Sequence, residues 1–318
     1  HGTVSFAFQG GEPTVAGLDF FRDFVAMVSA FRPLDRQVSY ALQTNGMALN
    51  EEWTHFLKEN QFLVGLSVDG YRELHDHYRV DTKGEGTYGR VAKALALLQK
   101  FEVETNLLCV VTGQCAKHPQ KTYASMKKLG VRYLQFIPCL DPLEEQRGRA
   151  VYSLTPKLYG DFLCGLFDQW YRDWAEGHYT SVRLFDDYVH LAMGEPASTC
   201  AASGGCGSYF VVEADGGVYP CDFYVLDRWR MGDVHTDSLK QLANDETASE
   251  FLRQGRLRPS RCASCRWVPL CNGGCRRDWT GGADDTENYY CESFRRFFEY
   301  AADRIGEIAW QERRSRMR

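Results

Sequence analysis

The sequence predicts an α/β protein in two parts: a strand–helix domain with parallel strands over residues 1–194, and a smaller cysteine-rich domain over residues 195–318. Three observations predict it. Short apolar runs alternate with amphipathic stretches through the first part, the order that parallel strands joined by crossover helices produce. The 318 residues are 44% hydrophobic, enough to bury a core. Eight of the 12 cysteines fall after residue 195, where the alternation stops.

The elements follow in order. VSFAF at 4–8 is a strand, followed by an amphipathic helix over LDFFRDFVAMVSAF. VSYALQT leads to NEEWTHFLKEN, a helix with Asn50 at its N-cap. FLVGLS precedes a loop and the helix TYGRVAKALALLQK. VETNLLCVVT leads to HPQKTYASMKKLG, with Gly130 as the stop. VRYLQFIPC leads to the helix TPKLYGDFLCGLFDQWYRDWAEG, with Pro156 at its start and Gly177 at its end, and a last strand is expected near SVRLF. Beyond residue 195 the segment SYFVVEADGGVYPC reads as a hairpin turning at Asp215, Gly216 and Gly217, and an amphipathic helix runs from Phe294. Polar punctuation after each strand favours a barrel-like arrangement, whose active site lies at the C-terminal strand ends. QGGEP, QTNG, SVDG and QFIPC all stand at such ends.

Composition excludes several classes. A net charge of −5 gives no footprint for a polyanion, so no nucleic-acid partner is expected. No apolar run is long enough to span a bilayer, and the N-terminus lacks the pattern of a signal peptide, so the expectation is a cytoplasmic chain without a membrane partner. In that compartment thiols stay reduced, and crowded cysteines point to metal rather than disulfides.

In the second part Cys200, Cys206, Cys221, Cys262, Cys265, Cys271, Cys275 and Cys291 make two sets of four. Tetrahedral sulfur ligation suits zinc or an iron–sulfur cluster. Only one C-x2-C knuckle is present where a zinc ribbon pairs two, and Gly204, Gly205, Gly273 and Gly274 allow backbone N–H groups near cluster sulfides. A structural zinc module stays open on spacing alone.

The run C-x5-C-x14-C, then C-x2-C-x5-C-x3-C and a final Cys, resembles the SPASM domain of radical S-adenosylmethionine (SAM) enzymes. FAFQGGEPTVAG, LQTNG, LSVDG and VYPCDFY resemble the anaerobic sulfatase-maturating enzymes of that superfamily, over essentially the whole chain. The resemblance implies a partial (β/α)6 TIM-like radical SAM barrel, lacking its first strand, followed by a SPASM domain with a β-hairpin and helices. It implies two auxiliary four-iron, four-sulfur (4Fe-4S) clusters, one on Cys200, Cys206, Cys221 and Cys275 and one on Cys262, Cys265, Cys271 and Cys291. Gly10, Gly11 and Glu12 would receive the amino group of S-adenosyl-L-methionine, and Gln43, Thr44, Asn45, Ser67 and Asp69 would contact its ribose or methionine. Taken singly these are turn formers and caps; their shared place at strand ends gives them weight. Gln9 and Arg79 are candidate substrate or cosubstrate contacts, with a surface ion pair the plainer role for Arg79.

Asp222, directly after Cys221, matches the family's general base, and a carboxylate there beside a buried substrate is expected to hold a raised pKa. Without the resemblance it reads as a loop aspartate. Tyr219, Phe223 and Tyr224 wall a peptide channel or fill core. Cys109 reads as a core residue, and Cys115, Cys139 and Cys164 as free thiols.

The implied activity is post-translational oxidation of a sulfatase Cys or Ser to Cα-formylglycine. In it a 5′-deoxyadenosyl radical takes a hydrogen from the β-carbon, Asp222 takes the side-chain proton, and the auxiliary clusters take the electron. The implied partners are a sulfatase polypeptide and an electron donor such as ferredoxin or flavodoxin, with the chain a monomer. The family's C-x3-C-x2-C loop, which holds a third, catalytic cluster, is not in the sequence. The expectation is therefore an N-terminally truncated, inactive fragment of an active parent. The alternatives are another SPASM peptide-modifying enzyme, a non-catalytic electron carrier, or a zinc-stapled binding module.

Overall fold

The computed structural model describes residues 2–31, 36–143, 145–207, 209–281 and 286–316. Two compact units divide at Arg183/Leu184, whereas composition changes only after residue 194.

The first unit holds one parallel sheet of six strands in sequence order: β1 (Thr3–Phe8), β2 (Gln37–Thr44), β3 (Phe62–Ser67), β4 (Thr105–Val111), β5 (Tyr133–Pro138) and β6 (Ser181–Val182). Sequential order without a reversal is the topology of barrel folds rather than doubly wound sheets. The crossovers carry α1 (Leu18–Phe31), α2 (Glu51–Glu59), α3 (Arg72–Tyr78), α4 (Tyr88–Lys100), α5 (Pro119–Lys127) and α6 (Pro156–Ala175). Local chemistry sets their ends. The Asn50 side chain accepts from Trp53 N at 3.0 Å, Thr155 caps α6 with Pro156 in its first turn, and Gly130 and Gly177 take left-handed φ of 78° and 77° after α5 and α6.

Strands β3 and β4 are apolar on both faces, as a sheet covered by crossover helices demands. Leu42, Val64, Leu66, Leu107, Val111 and Leu134 of the strands are buried, as are Leu57, Leu98, Met126 and Phe162 of the helices. Cys109 is fully buried in β4, as its apolar setting predicts, and its thiol is raised first by contact with buried Cys115 and then by burial.

Two expectations need correction. The segment after β3 is not all loop but contains α3. SVRLF is strand only at 181–182, and from Arg183 it becomes α7 (Arg183–Ala192). Phe185, Tyr188 and Val189 recur at helical spacing and are buried; Phe185 stacks on Phe297 at 5.6 Å and Tyr188 meets Phe298 edge-on at 4.9 Å. That packing overrides the β-propensity of the run.

The second unit is built from small pieces. After α7 come α8 (Cys200–Ser203), the hairpin β7 (Val211–Val212) and β8 (Gly217–Tyr219), and β9 (Gly232–Asp233), which adds a third antiparallel strand. The hairpin matches the sequence expectation, although its Ser208 lies outside the described residues. Helices α9 (Leu239–Ala243), α10 (Glu246–Gly255) and α11 (Val268–Cys271), the pair β10 (Trp279–Thr280) and β11 (Glu287–Asn288), and α12 (Cys291–Arg316) complete it. No helix among the described residues is long and apolar enough to cross a membrane.

Candidate functional site: strand-end loops and cysteine quartets

In the first unit, the loop after β1 turns at Gly10, whose φ of 89° suits glycine, and a Cβ on Gly10 or Gly11 would meet open space. Glu12 then ties two strand ends together. Its Oε1 accepts from Thr14 N (3.1 Å), Thr14 Oγ1 (2.6 Å) and Thr44 Oγ1 (2.8 Å), and its Oε2 accepts from Asn45 N (2.7 Å). Asn45 Oδ1 accepts from Met47 N and Thr44 Oγ1 from Gly46 N, closing the β2 turn. Glu12 and Thr44 therefore spend their side-chain polar atoms building the loops, and Asn45 spends its Oδ1 while its Nδ2 has no partner among the described residues. The Gln43 amide and the Ser67 hydroxyl make no hydrogen bond within the described residues, and they stand with Gly10 and Gly11 as groups free to meet a ligand. Gln9 is exposed and engaged elsewhere in the chain.

Asp69 is buried, and both its oxygens are taken: Oδ2 by Arg79 Nε at 2.6 Å, Oδ1 by Val110 N at 2.9 Å. The Arg79 side chain is 28% exposed against 6% for Asp69, so this is a half-buried pair rather than the surface pair weighed from sequence. Arg79 Nη1 has no partner among the described residues. Behind the pair lies His75, fully buried and not singled out by sequence. Its Nδ1 accepts from Asp69 N at 3.2 Å, and its Nε2 lies 3.0 Å from Thr87 Oγ1. Because Thr87 Oγ1 donates to Arg79 O at 2.8 Å, the imidazole is neutral with its proton on Nε2. Burial lowers its pKa, which favours the same state. Thr87 is twelve residues from His75, so only folding connects them.

In the second unit the eight cysteines sort by neighbourhood. Burial is the first cause raising the thiols, and the cysteines that add to the rise in each case belong to the same quartet. Burial pushes Cys271 up to about 12, with Cys262, Cys291 and Cys265 adding and the Gly273 N–H opposing. Burial likewise raises Cys275, with Cys200 and Cys221 among its further causes, and raises Cys206, with Cys200 adding. A cavity of about 320 Å³ is lined by Cys262, Cys265, Cys271 and Cys291, with Trp267 and Phe298 in its wall.

The chain between Cys271 and Cys275 explains how adjacent cysteines serve different sets. Asn272, Gly273 and Gly274 are all left-handed, at φ 51°, 86° and 68°, so the backbone reverses within three residues. Asn272 Nδ2 donates to Ala202 O at 2.8 Å, drawing the segment toward α8 and Cys200, while Asn288 Nδ2 and Trp279 Nε1 both donate to Gly273 O. Nothing in the spacing of the cysteines foretold this run.

Asp222 follows Cys221 on an exposed turn, accepting from Tyr209 Oη at 3.1 Å, with the Cys221 thiol 3.5 Å away. Burial about the Tyr209 hydroxyl, with Cys221 and Asp222 beside it, raises that phenol and keeps it a donor. Burial pushes Cys221 up to about 11. Tyr219 and Tyr224 are buried, whereas Phe223 is exposed. No three Cys, His, Asp or Glu side chains among the described residues gather closely enough to hold a single metal ion.

Comparison with known proteins bears on these groups. Residues 1–126 match the radical SAM superfamily and residues 204–266 the SPASM iron–sulfur cluster-binding domain. The chain is 44% identical to the cysteine-type anaerobic sulfatase-maturating enzyme of Clostridium perfringens over 97% of its own length and 84% of that enzyme. It is 30% identical to the serine-type enzyme of Bacteroides thetaiotaomicron, over 94% of this chain and 76% of that one. The solved structure described as native anSMEcpe with bound AdoMet and Cp18Cys peptide superposes with a TM-score of 0.94 at 44% identity, covering 98% of this chain and 87% of that one.

Proposed function

The chain belongs to the anaerobic sulfatase-maturating enzymes of the radical SAM superfamily, and from that premise we propose a cysteine-type maturase, with two iron–sulfur clusters on its quartets and Asp222 as proton acceptor. The sorting of eight thiols into two sets carries the proposal for the clusters. The greater identity to a cysteine-type enzyme than to a serine-type one, 44% against 30%, supports the substrate preference.

When bound, S-adenosylmethionine and the iron–sulfur groups supply hydrogen abstraction from the substrate and removal of its electron. The chain's own residues do the rest. Gly10 and Gly11 leave room for an ammonium group at backbone carbonyls, and Gln43 and Ser67 offer uncommitted polar atoms to a sugar or amino acid moiety. Asp69 holds Arg79 so that Nη1 faces an anionic group of cosubstrate or substrate. Asp222 takes the proton of the substrate thiol, and the Tyr209 hydroxyl steadies the carboxylate by donating to it. A low-potential one-electron protein donor, a sulfatase peptide and a monomeric state complete the proposal.

The test is iron, acid-labile sulfide and zinc per chain after anaerobic reconstitution, with binding of sulfatase-motif peptides carrying Cys or Ser. About eight iron and eight sulfide are expected for two four-iron clusters, with tighter binding of the Cys peptide. Zinc in place of iron would sink the cluster assignment, and equal or reversed peptide affinity the cysteine preference.

A further inference from the structure

Tyr224, Trp229 and Phe251 form a small buried core in the second unit, and Cys206 and Cys221 of the first quartet pack against it. The rings meet edge to face, with Phe251 5.3 Å from Tyr224 and 5.1 Å from Trp229. Over this core lies the guanidinium of Arg276, the residue after Cys275, 5.2, 5.0 and 4.9 Å from the three ring centroids. Its Nη1 donates to Phe251 O at 3.4 Å and its Nη2 to Gln254 Oε1. Both acceptors are neutral, and no carboxylate among the described residues makes a direct ion pair with Arg276; Glu250, which Gln254 separates from it, feels its charge only at longer range.

The same core holds a second anomaly. Trp229 is more than nine-tenths buried, and its indole Nε1 has no hydrogen-bond acceptor. Buried N–H donors without acceptors are rare in native proteins and call for a partner. A cation without a direct carboxylate partner and an unanswered donor thus share one apolar core with two cysteines of one quartet. A set of four thiolates carrying iron and sulfide is anionic, and its sulfurs accept hydrogen bonds; net charge and such bonds are what set its potential.

We propose that Arg276 and Trp229 tune the centre on Cys200, Cys206, Cys221 and Cys275: the guanidinium charge and the indole N–H both stabilise its more negative, reduced state and raise its reduction potential. This rests on the assignment of an iron–sulfur cluster to that quartet. Reduction adds one electron, supplied in the test by dithionite, with no bond made or broken. The aromatic cage lowers the local dielectric, so the cation acts on the centre with little screening.

The test uses the full chain, reconstituted anaerobically, with midpoint potentials followed by electron paramagnetic resonance. Iron and sulfide are assayed in every sample. Arg276→Met keeps the length and loses the charge; one of the two midpoints is expected to move negative while the other stays. Arg276→Lys keeps the charge and should retain most of the wild-type value. Trp229→Phe should move the same midpoint negative and abolish one solvent-exchangeable proton coupling to that centre. Unchanged midpoints in Arg276→Met at full iron content would overturn the role of Arg276. Should that variant lose iron, Trp229→Phe decides, and an unchanged midpoint with its proton coupling intact overturns the proposal. Wild-type chain that holds zinc and no iron overturns the cluster assignment itself, and the metal assay reveals this before any variant is made.

Discussion

His75 offers the sharpest test of how the strand-end loops are held. Replacing it with Ala removes the acceptor of the Asp69 N–H and the donor to Thr87 Oγ1, both in a fully buried setting. Thr87 Oγ1 keeps its bond to Arg79 O, so the Asp69 N–H is the group left unsatisfied, and His75→Ala should weaken the Asp69 turn by about 1–3 kcal/mol. At 1.4 kcal/mol per tenfold, exchange of the Asp69 and Val110 amides should quicken by about 5- to 140-fold, read by hydrogen-exchange mass spectrometry. His75→Asn places an acceptor near the Nδ1 position and should restore most protection at Asp69. Acidity should act the same way. Burial lowers the folded pKa of His75 below its ordinary 6.5, so its contribution is full above about pH 6.5 and is lost as pH falls toward the lower folded value. A protonated ring has no acceptor at Nδ1, so wild-type protection, corrected for intrinsic rates, should drop on acidification, and His75→Asn should not show the drop. Wild-type protection in His75→Ala, or an identical acid response in His75→Asn, would refute this account.

Three further outcomes are expected. Glu12→Gln cannot accept at both carboxylate positions, so the bond from Asn45 N or those from Thr14 and Thr44 are lost; a cost of about 1–3 kcal/mol should appear as faster exchange over residues 43–47, and no change would discount Glu12 as a tie between strand ends. Gly255→Ala places a Cβ against the thiol of Cys206; the overlap costs about 1–3 kcal/mol and should halve the iron per chain by impairing one quartet, whereas full iron content would show that the contact relaxes freely. Stripping the metal should expose the second unit to protease between residues 256 and 275 while the first unit stays protected. Between α7 and α12 the apolar clusters are small, built on Val218, Met231, Leu242 and Ala248 and on Tyr224, Trp229 and Phe251, so metal on the quartets would supply much of the folding energy of that stretch. Equal resistance with and without metal would contradict that.

Much of the architecture is written locally. Apolar runs of strand length between amphipathic stretches mark the five long strands, most plainly β3 and β4, because a strand covered on both faces must be apolar throughout. Asn50 and Pro156 mark helix starts through groups that act within one turn. The eight cysteines point to metal ligation in the second part, and the GGEP, QTNG and SVDG loops to a strand-end site in the first, for the same reason: ligand type and loop chemistry are properties of short segments. Other features are absent from any short window. SVRLF becomes a helix because Phe297 and Phe298, more than a hundred residues away, cover its face.

Sequence by itself thus determined the parallel α/β order, the cysteine-rich second part, the ligand candidates and the family. Tertiary structure alone decided which of the candidates remain free. It gave the oxygens of Glu12 to Thr14, Thr44 and Asn45, and those of Asp69 to Arg79 and Val110, leaving Gln43, Ser67 and the Asn45 Nδ2 uncommitted among the described residues. It fixed the His75 tautomer through Thr87, turned the chain at Asn272–Gly274 so that Cys271 and Cys275 face different quartets, and set Arg276 over three rings beside one of them. The reason is the range of the forces: propensity, capping and ligand chemistry act over a few residues, whereas hydrogen-bond satisfaction and ring packing depend on partners that only the folded chain brings together.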